Sequence, residues 1–327
     1  MEFPKVSIII PTYNRAHYLE QAIKSVLAQT FQDYELIILD NASTDNTPEV
    51  VRKFIDKRIK YVRNDINIGS LNNFNKGLEM ASGDYVIIFH DDDIMVPQLI
   101  EKEVEILDED KNVVLVAANI SIIDNNGRIL KKKALGINRD VIFNKYEFIY
   151  SFLKDNCALP CPTVMIRRNF INDKKIRFRS EVGPNADSYM WMEINLYDKK
   201  IYLLHEPLVL YRHHEAQESR INFFERNIKG YKYSLKLLKD NKLEYIIPYL
   251  KKNATYYLIS VLSNKLAYGY INRGDFKEYI NKIKEEDLWI NDIKFSYKLR
   301  ILLSYFCPKL AIMLHKIKMM LTNQKYY

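Results

Sequence analysis

The chain has few of the residues that build special-purpose scaffolds. Only three of its 327 residues are cysteine, Cys157, Cys161 and Cys307, which excludes a disulfide framework. No second Cys/His pair follows Cys157 and Cys161 at metal-ligand spacing, so a zinc-ribbon reading fails as well. Reduced thiols in a cytoplasmic protein are the expectation. Glycine is scarce, with nine in all, and the turn after the first apolar run, Pro11 to Ala16, has none. No uninterrupted apolar run reaches the roughly 20 residues that a membrane-crossing helix needs. The opening segment, MEFPKVSIIIPTYN, has a short apolar run and no small-residue cleavage site, so it reads as a strand rather than a signal peptide.

What is present describes a globular chain: 48% hydrophobic and 28% charged residues, without repeats or low-complexity tracts. Charge is unevenly placed. The first 219 residues hold 28 Lys/Arg and 32 Asp/Glu, whereas the remainder holds 21 and 9. An acidic-to-neutral body over 1–219 and a basic, Tyr-rich helical region over 220–327 are therefore expected to meet different partners.

Within the body, strand-length runs (Val6–Ile10, Glu35–Asp40, Ile59–Arg63, Tyr85–His90) alternate with amphipathic stretches (Ala16–Gln29, Pro48–Asp56, Ser70–Ala81). Thr47 and Pro48 read as N-cap and first helical position. Near-continuous apolar strands separated by helices predict a mostly parallel, Rossmann-like α/β sheet covered on both faces. Ligands of such sheets sit beyond the carboxyl ends of the strands. Those ends are polar: Pro11 to Arg15 after the first run, Asp40 to Asp45 after the second, and His90-Asp91-Asp92-Asp93 after the fourth. Three adjacent carboxylates repel one another and are kept where solvent or a cation compensates. At the mouth of a cleft they suit a hard divalent ion shared with phosphate oxygens.

These segments, VSIIIPTYNR, ELIILDNASTDNT, NIGSLNNFNKGLEMASGDYVIIFHDDDIMVP and PLVLYRHHEAQES, resemble the family 2 glycosyltransferases of bacterial polysaccharide and glycan synthesis, in order across residues 5–219. The resemblance implies a GT-A fold and an inverting transfer of a hexosyl or N-acetylhexosaminyl group. The donor would be a nucleotide diphosphate sugar, with UDP foremost. The acceptor would be a hydroxyl of a glycan or lipid-linked glycan.

By the same resemblance, Pro11, Thr12 and Tyr13 contact the base. Asp40 accepts its imide N–H, a donor that uracil and thymine offer and that guanine's ring N–H mimics. Asp91 binds the ribose and Asp92 a Mn²⁺ or Mg²⁺ ion. His90 stands where the family often has its first Asp, either as a helper or as a structural residue. Asp187, in GPNADSYMWMEI, matches the general base, a position that also suits a helix cap. His214 and Arg212 match a stretch that closes over the diphosphate, His214 as a metal contact and Arg212 as a phosphate or structural contact.

A helix is expected over Tyr297–Leu321, and in PKLAIMLHKIKMML it puts Leu310, Met313, Leu314, Ile317, Met320 and Leu321 on one apolar stripe with Lys309, Lys316 and Lys318 mainly off it. This fits either a core-packing helix with a solvated basic face or one lying peripherally on the inner face of a membrane. Three other readings fit these residues less well. A sugar nucleotidyltransferase needs the glycine-rich loop that PTYNRA lacks. A nucleic-acid-binding module is disfavoured because acids occupy the strand ends. A catalytically inactive nucleotide-sugar-binding subunit would keep the fold but not the aspartates.

Overall fold

The Ile/Val runs that open the chain are buried on both faces, and each becomes a strand of a parallel sheet. In the computed structural model, which describes residues 3–182, 185–214, 224–290 and 293–314, β1 (Val6–Thr12) and β2 (Tyr34–Asp40) are buried at every position. They pair from Val6↔Tyr34 to Thr12↔Asp40, so both carboxyl ends finish level. Strand β3 (Ile59–Arg63) adds parallel to β2, and β4 (Tyr85–Ile88) adds parallel to β1.

Beyond β4 the sheet is mixed. The further strands are β5 (Ile94–Met95), β6 (Val113–Ile123), β7 (Ile129–Lys131), β8 (Val141–Phe143), β9 (Val164–Arg167) and β10 (Lys200–Arg212). The strand order is β3-β2-β1-β4-β9-β6-β10-β5, with β7 on β6 and β8 on β10. β9 runs antiparallel to both β4 and β6. β6 and β10 are parallel, while β5 and β8 pair antiparallel with β10. The expectation of parallel strands thus describes β3-β2-β1-β4. It gives way where the chain, after the excursion through β7 and β8, re-enters the sheet at β9 from the opposite end.

Helices α1 (Ala16–Leu27), α2 (Thr47–Arg52), α3 (Ser70–Met80) and α4 (Leu99–Glu109) connect the early strands, and α5 (Glu147–Asp155), α6 (Arg168–Asp173) and α7 (Ala186–Ile194) follow. Gly77 lets α3 close onto β1: a Cβ there would lie 2.6 Å from Ile9 Cγ2, so any side chain would force the layers apart. The N-cap of α2 is Asn46, without a side-chain bond, rather than Thr47. The start is satisfied instead by Asp45. Its Oδ1 accepts from the Thr47 backbone (3.1 Å) and hydroxyl (2.6 Å), while its Oδ2 accepts from the Ala16 backbone at the start of α1 (3.0 Å). One carboxylate therefore serves two helix N-termini, where negative charge is favoured.

Glu103 of α4 is fully buried, with neither carboxylate oxygen hydrogen-bonded. Burial raises its pKa well above the ordinary value. The unfolded chain releases this proton above the usual Glu range while the folded chain retains it, so folding is progressively penalised as pH rises toward the folded pKa. Glu103→Met should therefore stabilise the protein by about 2 kcal/mol at neutral pH. The gain should shrink as pH falls toward 4.5. Urea denaturation at two pH values measures it, and an equal gain at both would contradict the assignment.

The chain divides into two units: Met1–Ile149, Cys157–Ser180 and Ala186–Glu215 make the first, and Tyr150–Asn156, Glu181–Asn185 and Ala216–Tyr327 the second. The second contains α8 (Phe224–Asp240), α9 (Ile247–Ala267), α10 (Arg273–Glu285) and α11 (Phe295–Phe306). Its core is built on Ala254, Leu258 and Leu262 of α9, packed with Ile228, Phe276 and Ile283. The helix expected over Tyr297–Leu321 breaks at Cys307, because Pro308 has no N–H to continue the ladder. Helix resumes over 308–314, and the rest of the stripe, Ile317, Met320 and Leu321, lies outside the described residues. Among the described residues no helix is long and apolar enough to cross a membrane.

Candidate active site

Three loops leave the carboxyl ends of β1, β2 and β4 side by side. After β1, whose last residues Pro11 and Thr12 are buried, Tyr13 turns outward with 44% of its surface exposed. Asn14 adopts a left-handed conformation (φ 53°), which its short polar side chain tolerates. Its Oδ1 accepts from the Thr44 backbone (2.7 Å), while its own N–H donates to Ser43 Oγ (3.0 Å). The β1 and β2 loops are tied together by these bonds.

Asp40 ends β2 fully buried. Its Oδ1 accepts from Ser43 N–H (2.8 Å), and its Oδ2 accepts from the Tyr61 hydroxyl (2.7 Å) with Arg63 Nε at 3.5 Å. Behind this loop runs an amide network. Asn64 Nδ2 donates to Asn41 Oδ1 (2.9 Å) and to Asn73 Oδ1 (2.8 Å), and Asn73 Nδ2 donates to Leu39 O (3.0 Å). Buried polar groups satisfied in this way hold a loop in one shape.

The aspartate triplet is almost completely enclosed: Asp91 and Asp92 are 4% exposed and Asp93 1%. Such crowding requires counter-charge, and the structure supplies three sources. Arg15 Nη1 reaches Asp92 Oδ2 at 2.8 Å and Asp91 Oδ1 at 3.2 Å. His214 Nε2 lies 2.8 Å from Asp92 Oδ2. His90 Nδ1 lies 3.8 Å from Asp93 Oδ2.

Ionisation divides accordingly. Burial opposes charge on Asp92, but His90, Arg15 and His214 overcome it, and its pKa falls. Asp91 is raised to about 7, chiefly by burial and also by Asp92, despite Arg15. Asp93 is raised well above its usual range by burial and then by Asp92. Glu35, near the other end of β2, provides a contrast. It is also buried, yet Lys60, Ser7 and Ser82 hydrogen-bond its carboxylate and hold it at about 2. Asp91 and Asp93 at the carboxyl edge lack compensation of that strength.

His90, Asp92 and Asp93 each offer a ligand atom, and these atoms lie within 4.8 Å of one another. Asp93 Oδ2 is buried without a hydrogen-bond partner. A buried carboxylate oxygen left without a donor, beside an ionised carboxylate and imidazoles, fits a divalent cation in donor type and in charge.

Arg212 lies elsewhere in the design than a phosphate contact would. It is 1% exposed. Its backbone N–H donates to Asp93 Oδ1 (2.7 Å), and its guanidinium donates to the carbonyls of Asp92, Asp124 and Asn125 and to Gln21 Oε1. With Tyr18 beneath it at 4.8 Å, the group braces the aspartate loop from inside. Of the two readings of Arg212, these internal acceptors favour the structural one, since they engage most of its donors. The remainder of the YRHHEAQES stretch, residues 215–219, lies outside the described residues.

Asp187 stands in the first turn of α7, and its Oδ1 accepts from Ser188 N–H at 2.7 Å. Burial raises its pKa to about 6, against the opposing pull of that N–H. Tyr211 of β10 feels Asp93, Asp92 and Asp187 together, and its hydroxyl is pushed up by burial first and then by these charges. A relay of rings leads from His90 through Phe74 and Phe178 to Trp191 of α7. The structure therefore brings Asp187 and the triplet into one neighbourhood.

Arg15, Tyr61, Arg63 and the asparagine network were not read from the sequence as site residues. The only local signal was the run of polar residues after each strand.

Comparison with known proteins bears on the family and the fold. A UDP-Glc:alpha-D-GlcNAc-diphosphoundecaprenol beta-1,3-glucosyltransferase of Escherichia coli is 30% identical over 214 residues, covering 65% of this chain and 78% of its own. S. aureus TarS 1–349, solved in complex with UDP-GlcNAc, shares the fold with a TM-score of 0.71 at 18% identity, over 95% of this chain and 92% of its own. The mannosyltransferase PcManGT of Pyrobaculum calidifontis, solved with GDP-Man and Mn²⁺, superposes with a TM-score of 0.57 at 17% identity, over 97% and 88%. The family profile of glycosyl transferase family 2 matches residues 7–174, more than half of the chain. The chain belongs to that family and is a glycosyltransferase with the GT-A fold.

Proposed function

We propose that this enzyme transfers a sugar from a UDP-linked donor to a hydroxyl of a lipid-linked glycan, inverting the anomeric carbon in a single displacement. The observation that carries the reading is Asp92: buried, ionised, bonded to His214, and flanked by Asp93 and His90 at the sheet edge where Tyr13 stands exposed. A UDP donor is supported by the UDP-GlcNAc complex of TarS and by the name of the E. coli relative, which also names a diphosphoundecaprenol-linked acceptor.

In this reading Tyr13 stacks on the base over the floor formed by Pro11 and Thr12. Asp40 takes the imide N–H through Oδ1, which has one donor in the structure and keeps a lone pair. Asp91 binds the ribose. Asp92, Asp93, His90 and His214 would hold Mn²⁺ or Mg²⁺, which when bound neutralises the diphosphate as charge builds on it. Arg212 positions the aspartate loop. Asp187 takes the proton from the acceptor hydroxyl. The hydroxyl oxygen bonds to the anomeric carbon from the face opposite the diphosphate, and the bond from that carbon to the β-phosphate oxygen breaks.

Calorimetric titration of UDP, TDP and GDP, each with and without Mn²⁺, tests the donor assignment. Manganese-dependent binding of UDP alone is expected. Preference for GDP or TDP would transfer the assignment to that nucleotide, and no binding of any would remove it. Tyr13→Ala should weaken UDP binding about tenfold, the value of one base–aromatic stack, with kcat little changed. An unaltered UDP affinity would mean that the base lies elsewhere.

A further inference from the structure

We propose that the apolar face of α11 and of the helical turns over 308–314 docks on the surface of an anionic lipid bilayer. On α11, Leu299, Leu302 and Phe306 recur at helical spacing, and Leu302 is 52% and Phe306 65% exposed. Leu310, Met313 and Leu314 repeat the pattern over 308–314 and are exposed as well. A globular surface scatters large apolar side chains singly, whereas six exposed ones on two consecutive helical segments that meet at the break at Cys307 mark a contact surface.

Its chemistry selects the occupant. Lys294, Lys298 and Lys309 are exposed beside the row, with Lys298 one turn before Leu302 and Lys309 one turn before Met313. Lysine stems of this kind lie along an apolar surface while the ammonium groups reach outward. From Ile293 to Tyr327 there are seven Lys/Arg and no Asp/Glu. A two-fold contact between copies of this face would set like charges against like, whereas anionic headgroups meet the lysines as the apolar row enters the acyl boundary. Leu299 and Leu314 also line one cavity of about 250 Å³ between α9, α11 and residues 311–314, with Leu303 and Ile312 in its wall, so the apolar side chains of the two segments converge on one patch. The absence of a spanning helix among the described residues suits a surface contact. This inference is independent of the identity of the nucleotide.

Sedimentation of the full chain with vesicles provides the test. Vesicles of 30% phosphatidylglycerol in phosphatidylcholine should carry the protein down, and pure phosphatidylcholine vesicles should bind it at least about tenfold more weakly. Leu302→Ser with Phe306→Ser, and separately Lys298→Glu with Lys309→Glu, should each reduce binding to the anionic vesicles about tenfold. Nucleotide binding by both variants should be unchanged, which shows that the fold is intact. Absent binding, equal binding to both vesicle types, or binding indifferent to the variants would overturn the proposal. So would a concentration-dependent dimer that Phe306→Ser dissolves, since the face would then serve a second copy.

Discussion

Asp92→Asn is expected to lower metal-stimulated sugar transfer by about a thousandfold, equivalent to roughly 4 kcal/mol of transition-state stabilisation. Asparagine keeps the size and much of the hydrogen bonding to His214 and Arg15 but removes the one charge of the triplet that its neighbours hold ionised. Asp93, pushed well above its usual range by burial, stays neutral at neutral pH, and Asp91, raised to about 7, is only partly ionised there and already occupied by Arg15. A carboxylate held below its usual pKa stabilises the fold when ionised, so the melting temperature in EDTA should fall modestly, while the rise on adding Mn²⁺ should vanish. Metal-stimulated transfer within tenfold of normal would assign the ion to Asp93 and His90 instead.

Asp187→Asn should reduce kcat by a factor of about 10² to 10⁴, the usual contribution of a positioned base. UDP affinity should be retained, because the residue faces the acceptor and not the nucleotide in the proposed reaction. The pH profile gives an independent signature. The carboxyl must be ionised to accept a proton, and burial lifts its pKa to about 6. The kcat of the unaltered enzyme should therefore fall as pH drops through about 6 and level off above it. Asp187→Glu should keep a sigmoid profile with a shifted midpoint. A flat profile from pH 5 to 8, or transfer by Asp187→Asn near the normal rate, would exclude Asp187 as the base.

β1, β2 and β4 of the parallel half were legible because they are buried on both faces, so each appears in the sequence as a near-continuous apolar run; β3, half-exposed, was legible only as a short run rich in Ile, Val and Tyr. β10 was not, because His205-Glu206-Pro207 interrupts it. The register with β6 shifts between Leu204 and Pro207 and again between Pro207 and Val209, so one 13-residue strand presents itself as two apolar fragments. At the site, the aspartates stood out as a cluster. Their counter-charges did not: Arg15 and His214 are 77 and 122 residues from Asp92, no local pattern announces such pairs, and only the family resemblance pointed to His214. Arg212 shows the reverse difficulty. An arginine near a phosphate site reads as a phosphate ligand until the carbonyls that surround it are known.

The position of β10 has a consequence for how the chain acquires its structure during synthesis. This strand lies inside the sheet, between β6 and β5, yet it is the last strand to be made, and the family profile ends at residue 174, before it begins. At ordinary translation rates of about 5–20 residues per second, on the order of 5–20 s separate the emergence of β6 from that of Arg212. For that interval β5 has no partner and one edge of β6, an 11-residue strand composed mostly of Val, Ala and Ile, stays unpaired. Such an edge is a template for pairing with other chains. A nascent or truncated chain ending before Lys200 would thus be a substrate for chaperones rather than a smaller enzyme.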